Sequence, residues 1–323
     1  MVLLEFPMPD GRKYLDPKTL DKIRSLDLRA RLVVDGFITG QHKSPYHGFA
    51  VEFASHREYV PGDEIKHIDW KVWSKTDRYY IKEYEEETNL KMTILLDCSK
   101  SMRYGTKETT GGTHTTGNHA GWSKFEYGST AAACLAYLAQ QQQDSIGLIT
   151  FDTDVRLKLP NSSHPSHLKL LIHEIERTVP DNKTDVGDVF RGLAEQIGKR
   201  GLVVLVSDLF VDMATLKTSL QHFRHRRHEV VVFHVMHEHE LTFPFQDNTE
   251  FRGLEVDMQL LTEPRSLRKT YLEVVDRYLH QVRKICAGCG IDHVLMNTSE
   301  PLDAALSGYL AFRNRTVRGV GRR

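Results

Sequence analysis

No apolar run in this 323-residue chain approaches the roughly 18 residues that a membrane-spanning helix needs. The opening stretch Met1-Val2-Leu3-Leu4-Glu5-Phe6-Pro7 meets Glu5 and Pro7 too early to build the apolar core of a signal peptide. A cytoplasmic protein without membrane insertion is therefore expected. Net charge is lacking too. Lys plus Arg and Asp plus Glu both number 43, which gives zero with His neutral and no general drive toward nucleic acid or an anionic membrane. Cysteines are few. Cys286-Ala287-Gly288-Cys289 is a lone Cys-x-x-Cys with no second pair to complete a structural zinc site, so reduced thiols are expected there and at Cys98 and Cys134. A phosphate loop is absent as well, because no Gly-Lys-Ser or Gly-Lys-Thr follows Gly111-Gly112.

With 40% hydrophobic and 27% charged residues, the chain has a real core and length for one large or two ordinary domains. Histidine is abundant, at His222, His225 and His228 and again at His234, His237 and His239. The first set reads as a basic helix end and the second as a strand running into a loop, in preference to metal sites.

From Met92 onward the pattern alternates between short apolar runs and segments of helical period, the signature of an α/β domain with a mainly parallel sheet. Strands are expected at 146–151, 155–159, 202–206, 229–236 and 291–296, with a strand-like piece at 250–258. Helices are expected at 124–143, 167–178, 185–199, 213–226 and 304–312. A long helix opens at Pro264 and runs through Ile285, with Leu267, Tyr271, Val274, Val275, Tyr278 and Val282 as a core stripe. Residues 103–121, rich in Gly, Thr and His, have too little apolar content to offset the entropy of ordering and read as a surface insertion or a cover for the neighbouring loop. The basic tail 313–323 reads as a frayed terminus.

Polar residues cluster where buried strands end. Met92-Thr93-Ile94-Leu95-Leu96 reads as a strand covered on both faces, and it delivers Asp97, Ser99 and Ser101 into a loop. Gly201 to Val206 is a second such run, ending in Ser207-Asp208. Between them Thr184 falls near the start of a helix, where a hydroxyl caps the backbone or points into a site. Each residue alone is an ordinary turn or cap residue. Together they are hard oxygen donors at the carboxyl ends of neighbouring strands, which suits Mg²⁺.

This order, Asp-x-Ser-x-Ser, then Thr, then Asp, resembles the metal-ion-dependent adhesion site of von Willebrand factor type A domains. The resemblance implies that Asp97, Ser99, Ser101, Thr184 and Asp208 hold one Mg²⁺, or Mn²⁺ or Ca²⁺, with an open position for a partner's acid. Upstream, Gly40-Gln41-His42-Lys43-Ser44-Pro45, Arg57-Glu58-Tyr59-Val60-Pro61-Gly62-Asp63-Glu64 and His67-Ile68-Asp69-Trp70-Lys71 resemble the bacterial domain of unknown function family 58. That resemblance implies a von Willebrand A-like (Rossmann-like) α/β fold: a doubly wound, mainly parallel sheet with helices on both faces. A small N-terminal β-rich block precedes it.

The expected divisions are 1–90 for an N-terminal helix and β-rich block, 91–313 for the A-like domain and 314–323 for the tail. Within the block, Pro61-Gly62 fits a type II turn, while 69–71 and 79–84 read as strands. Arg57, Asp63, Asp69 and Lys71 read as an ion-pair lattice or a functional surface. The family resemblance implies a non-enzymatic adaptor or co-chaperone working with a MoxR-type AAA+ ATPase or its client, which offers an Asp or Glu side chain. The alternative is a Mg²⁺-dependent phosphohydrolase of haloacid-dehalogenase type with Asp97 as nucleophile. Ser99 stands where that chemistry wants an acid.

Overall fold

The computed structural model describes residues 25–41, 55–60, 70–76, 78–83, 90–105, 122–181, 186–198, 200–255 and 258–302. In chain order these form α1 (Leu26–Gln41), β1 (Ser55–Glu58), α2 (Trp70–Thr76), β2 (Tyr80–Glu83) and β3 (Lys91–Asp97), then a 3₁₀ turn at Lys100–Arg103. After these come α3 (Lys124–Gln141), β4 (Ser145–Phe151), β5 (Val155–Ser162), α4 (Pro165–Arg177), α5 (Val186–Gln196) and β6 (Leu202–Ser207). The remainder is α6 (Met213–His225), β7 (Glu229–Met236), α7 (Glu238–Thr242), β8 (Thr249–Arg252), β9 (Gln259–Thr262), α8 (Pro264–Gly288) and β10 (Asp292–Asn297). The expected helix at 304–312, the Pro61-Gly62 turn, Thr184, most of 103–121 and the tail lie outside the described residues.

Two compact units result, residues 41–89 and the remainder. In the larger, six strands lie in the order β10-β7-β6-β3-β4-β5, all parallel except the β4–β5 pair. The expected fold class is therefore met, a doubly wound, mainly parallel sheet covered on both faces. Alternation decides which side chain meets which layer. Met92, Ile94 and Leu96 of β3 join α1, α3 and α4 in one core, whereas Leu95 joins α5, α6 and α8 in the other. Helix α1 contributes Leu26, Ala30, Val33 and Val34 to the first core, so it packs with the sheet although 41–89 intervene in sequence.

Edge strand β5 keeps the half-exposed alternation expected of an antiparallel margin. The stripe on α8 is core only toward its end. Val282 is buried, but Leu267 and Val274 are exposed, because 25 helical residues span about 37 Å and overshoot strands of about 26 Å.

The smaller unit pairs β1 with β2 antiparallel, Ser55 opposite Glu83 through Glu58 opposite Tyr80. Here one expectation fails. Residues 69–71 read as a strand, yet α2 begins at Trp70. Helical spacing sets Trp70 against Trp73 edge-on at 6.1 Å, and Trp73 stacks on Tyr79 at 6.0 Å. That aromatic packing outweighs β propensity. The side chains of Arg57, Asp63, Asp69 and Lys71, the proposed lattice, are outside the described set.

Candidate metal centre

Strand order changes direction at β3, since β4 lies to one side and β6 to the other. Open α/β sheets place ligand sites outside the carboxyl ends of such strands. Leu96 pairs with Val206, so the next residues, Asp97 and Ser207, emerge side by side. The Ser207 hydroxyl donates to Asp97 Oδ2 at 2.5 Å, and the Ser99 N–H donates to Asp97 Oδ1 at 2.9 Å. Ser207 Oγ also accepts the Leu209 N–H at 3.0 Å, which folds the chain back into the left-handed region at Leu209 (φ 54°). Tyr278, from the supposed core stripe, ties this turn down. Its hydroxyl reaches the carbonyls of Asp208 at 3.2 Å and Leu209 at 2.8 Å.

Four of the five expected donors are thus brought to one end of the sheet, and the fifth, Thr184, lies outside the described residues. Asp97 and Ser99 are wholly buried, Asp208 is 1% exposed, and the Ser99 and Ser101 hydroxyls face each other at 3.0 Å. With Mg²⁺–O distances of about 2.0–2.1 Å, adjacent oxygens of an octahedron lie about 2.9–3.0 Å apart. The serine pair therefore fits one edge of such a shell. Burial, with Asp208's negative charge second, raises the Asp97 carboxyl to about 7 against the hydrogen bonds from Ser207 and Ser99. Two buried acids that repel each other are an electrostatic demand for a cation. Among the described residues no three His, Cys, Asp or Glu side chains gather as a metal-holding group, so a cation here depends on the hydroxyls.

One cation is already built in. Lys124, at the first turn of α3 and 1% exposed, donates to Asp208 Oδ2 at 2.7 Å and Glu240 Oε1 at 2.9 Å. Its ammonium also lies 4.6 Å from the Phe210 ring centroid. Burial works against its charge, but Asp208 and Glu240 prevail and raise the ammonium's pKa. Ser123 caps the helix in a capping box with Glu126, and the Lys124 N–H donates to Tyr104 O at 3.0 Å. That approach needs Gly105, whose φ is 101° and whose missing Cβ would lie 2.8 Å from Trp122 O. Glu240 is held in turn by the His237 N–H at 2.8 Å.

Sequence reading missed Lys124 and Glu240. A signal existed for the first, since lysine in a first helical turn opposes the helix dipole and calls for an anionic neighbour.

The family model described as protein of unknown function DUF58 matches residues 55–280. The chain belongs to the DUF58 family. This DUF58 protein is 23% identical to an uncharacterized protein of Mycobacterium tuberculosis, Rv1480, and to another of Mycobacterium bovis, Mb1516, each over 93% of this chain and 91% of the relative. Similar solved structures include BatB from Bacteroides thetaiotaomicron, at 14% identity over 70% of this chain and 99% of that one, TM-score 0.42. The SpRpn10 VWA domain is 11% identical over 68% and 94% of the two chains, TM-score 0.38.

The DUF58 site also carries a two-histidine chain. His234 Nε2–H donates to the Asp208 carbonyl at 3.0 Å, which leaves Nδ1, 3.2 Å from His293 Nε2, to accept. Burial first, and His293 second, lower the His234 pKa from 6.5 to about 3. The folded value lies below the unfolded one, so stability is undiminished above about 6.5 and falls as pH drops toward 3. Wild type is expected to lose roughly 1.4 kcal/mol per pH unit relative to His234→Gln between pH 6 and pH 4. Urea midpoints measured across that range check the slope, and parallel profiles would refute it.

Cys98, between Asp97 and Ser99, donates its thiol to Phe151 O at 3.0 Å, and burial pushes it up to about 12. It is an inert packing thiol. All four cysteines are free. Among the described residues no helix is long and apolar enough to cross a membrane.

Proposed function

We propose that the chain is a non-enzymatic, metal-dependent protein-interaction module. In this reading Asp97, Ser99, Ser101, Thr184 and Asp208 hold Mg²⁺, or Mn²⁺ or Ca²⁺ in its place. The cation then receives an Asp or Glu side chain from a protein partner, a MoxR-type AAA+ ATPase or its client, for which the chain serves as adaptor or co-chaperone. The single observation that carries the reading is the Ser99–Ser101 hydroxyl pair, 3.0 Å apart beside two buried carboxylates at the sheet's switch point. Hydroxyls and carboxylates suit a hard cation, and the shell they make is underneutralised enough to accept one more acid.

The phosphohydrolase alternative gains nothing from the geometry. Asp97 has no exposure, both its oxygens accept hydrogen bonds, and the residue two positions on is Ser99, which has no acid to give.

Calorimetric titration with Mg²⁺ tests the metal. Ser101→Ala and Asp208→Asn are expected to bind at least about tenfold more weakly than wild type, a loss of about 1.4 kcal/mol or more for each oxygen donor removed. Unchanged affinity in both variants refutes the ligand set. Capture on a purified MoxR-type ATPase with Mg²⁺ and with chelator tests the partner, and retention that ignores the chelator counts against a metal-bridged contact.

A further inference from the structure

A feature of the site has no counterpart in its list of ligands. Glu255, at the tip of the β8–β9 hairpin, brings Oε1 to 3.3 Å from the backbone N of Ser101, across 154 residues of sequence. The contact lands on the residue whose hydroxyl forms half of the serine pair. An acid supplied by this chain itself therefore stands at the mouth where the proposed function places an acid from outside.

The hairpin is built to hold that position at one end and to offer a grip at the other. Thr249 pairs with Thr262 and Arg252 with Gln259, and the Gly253 N–H closes the tip on Met258 O at 2.8 Å. Phe251 anchors β8, stacking on Phe243 at 5.6 Å and meeting Phe245 edge-on at 5.2 Å. The other strand is differently placed. Met258, Leu260 and Leu261 are exposed, Leu261 by 75%, so the strand that follows the tip presents apolar side chains to solvent.

We propose that Glu255 is an intrachain competitor for the partner's carboxylate: held on the Ser101 N–H, it covers the metal centre at rest, and a partner engages only by displacing it. This rests on the metal-centre reading above. A competitor that occupies the site most of the time lowers apparent affinity by the fraction of molecules left open. Glu255→Gln keeps the size of the side chain and removes its negative charge.

The test uses the full chain loaded with Mn²⁺ and acetate as the probe acid, read by water-proton relaxation, which falls as a carboxylate displaces metal-bound water. Glu255→Gln is expected to bind acetate about five- to tenfold more tightly than wild type, as removal of a competitor that is 80–90% engaged requires. Glu255→Asp, still charged, is expected to fall between the two. Equal acetate affinity in wild type and Glu255→Gln, with Mn²⁺ binding still abolished by Asp208→Ala, overturns the competitor and leaves the metal centre standing. Mn²⁺ binding that is absent, or indifferent to Asp208→Ala, overturns both.

Discussion

Lys124→Met is expected to lower the unfolding free energy by roughly 3–5 kcal/mol, the usual loss when one partner of a buried ion pair is removed. The reason lies in what stays behind. Asp208 is 1% exposed and the Glu240 side chain 13%, and both lose the ammonium that offsets their desolvation. Burial already raises the Glu240 carboxyl against the pull of Lys124, so without the lysine that acid takes up a proton or draws in water. The Met side chain fills much of the same volume, which separates loss of charge from loss of packing. Adding Glu240→Gln to Lys124→Met removes one of the two stranded acids and is expected to recover about 1–2 kcal/mol. A second recovery follows from the proposed function. Mg²⁺ that binds the folded state alone stabilises it by mass action, and Lys124→Met should gain more from saturating Mg²⁺ than wild type does. Urea unfolding of the two variants, with and without Mg²⁺, checks both. A loss below 1 kcal/mol for Lys124→Met would show that the triad is not the site's counter-charge.

The same triad shows where sequence reading stops. Strands β3, β6 and β7 are legible because a strand covered on both faces must be a near-continuous apolar run, and Ile94 to Leu96, Leu202 to Val206 and Val230 to Phe233 are such runs. Asp97, Ser99, Ser101 and Asp208 are legible because polar residues directly after such a run must lie at a strand's end. Glu240 and Glu255 are not. They reach the site from 116 and 154 residues away in contacts that no local period encodes, since they depend on where α7 and a hairpin tip settle. Trp70 shows the converse failure. Aromatic residues favour strands on average, but a partner at helical spacing, Trp73, decides the local backbone. Tyr278 lay between these cases. Its helical stripe was visible, and the hydroxyl that fixes the Asp208–Leu209 turn was not.

Phe190→Ala is expected to cost about 3–5 kcal/mol, as deletion of a fully buried ring removes its transfer free energy and leaves a cavity that the surroundings refill only in part. Phe190 has no exposure and sits edge-on between Phe151 of β4, at 5.3 Å, and Phe223 of α6, at 5.9 Å. It thus fastens α5 to the second core, and α5 begins at Val186, two residues after the Thr184 assigned to the cation. Under the proposed function, packing and metal binding are coupled through that helix. If Thr184 is a ligand, loosening α5 weakens Mg²⁺ binding, although Phe190 itself touches none of the described donors. Phe190→Leu, which retains most of the volume, is expected to lose less stability and to keep most of the Mg²⁺ affinity. The discriminating measurement is calorimetry on Phe190→Ala at a temperature where the variant is still folded. An affinity drop of threefold or more supports the Thr184 assignment, whereas full affinity despite the large stability loss argues that the cation is held by β3 and β6 alone.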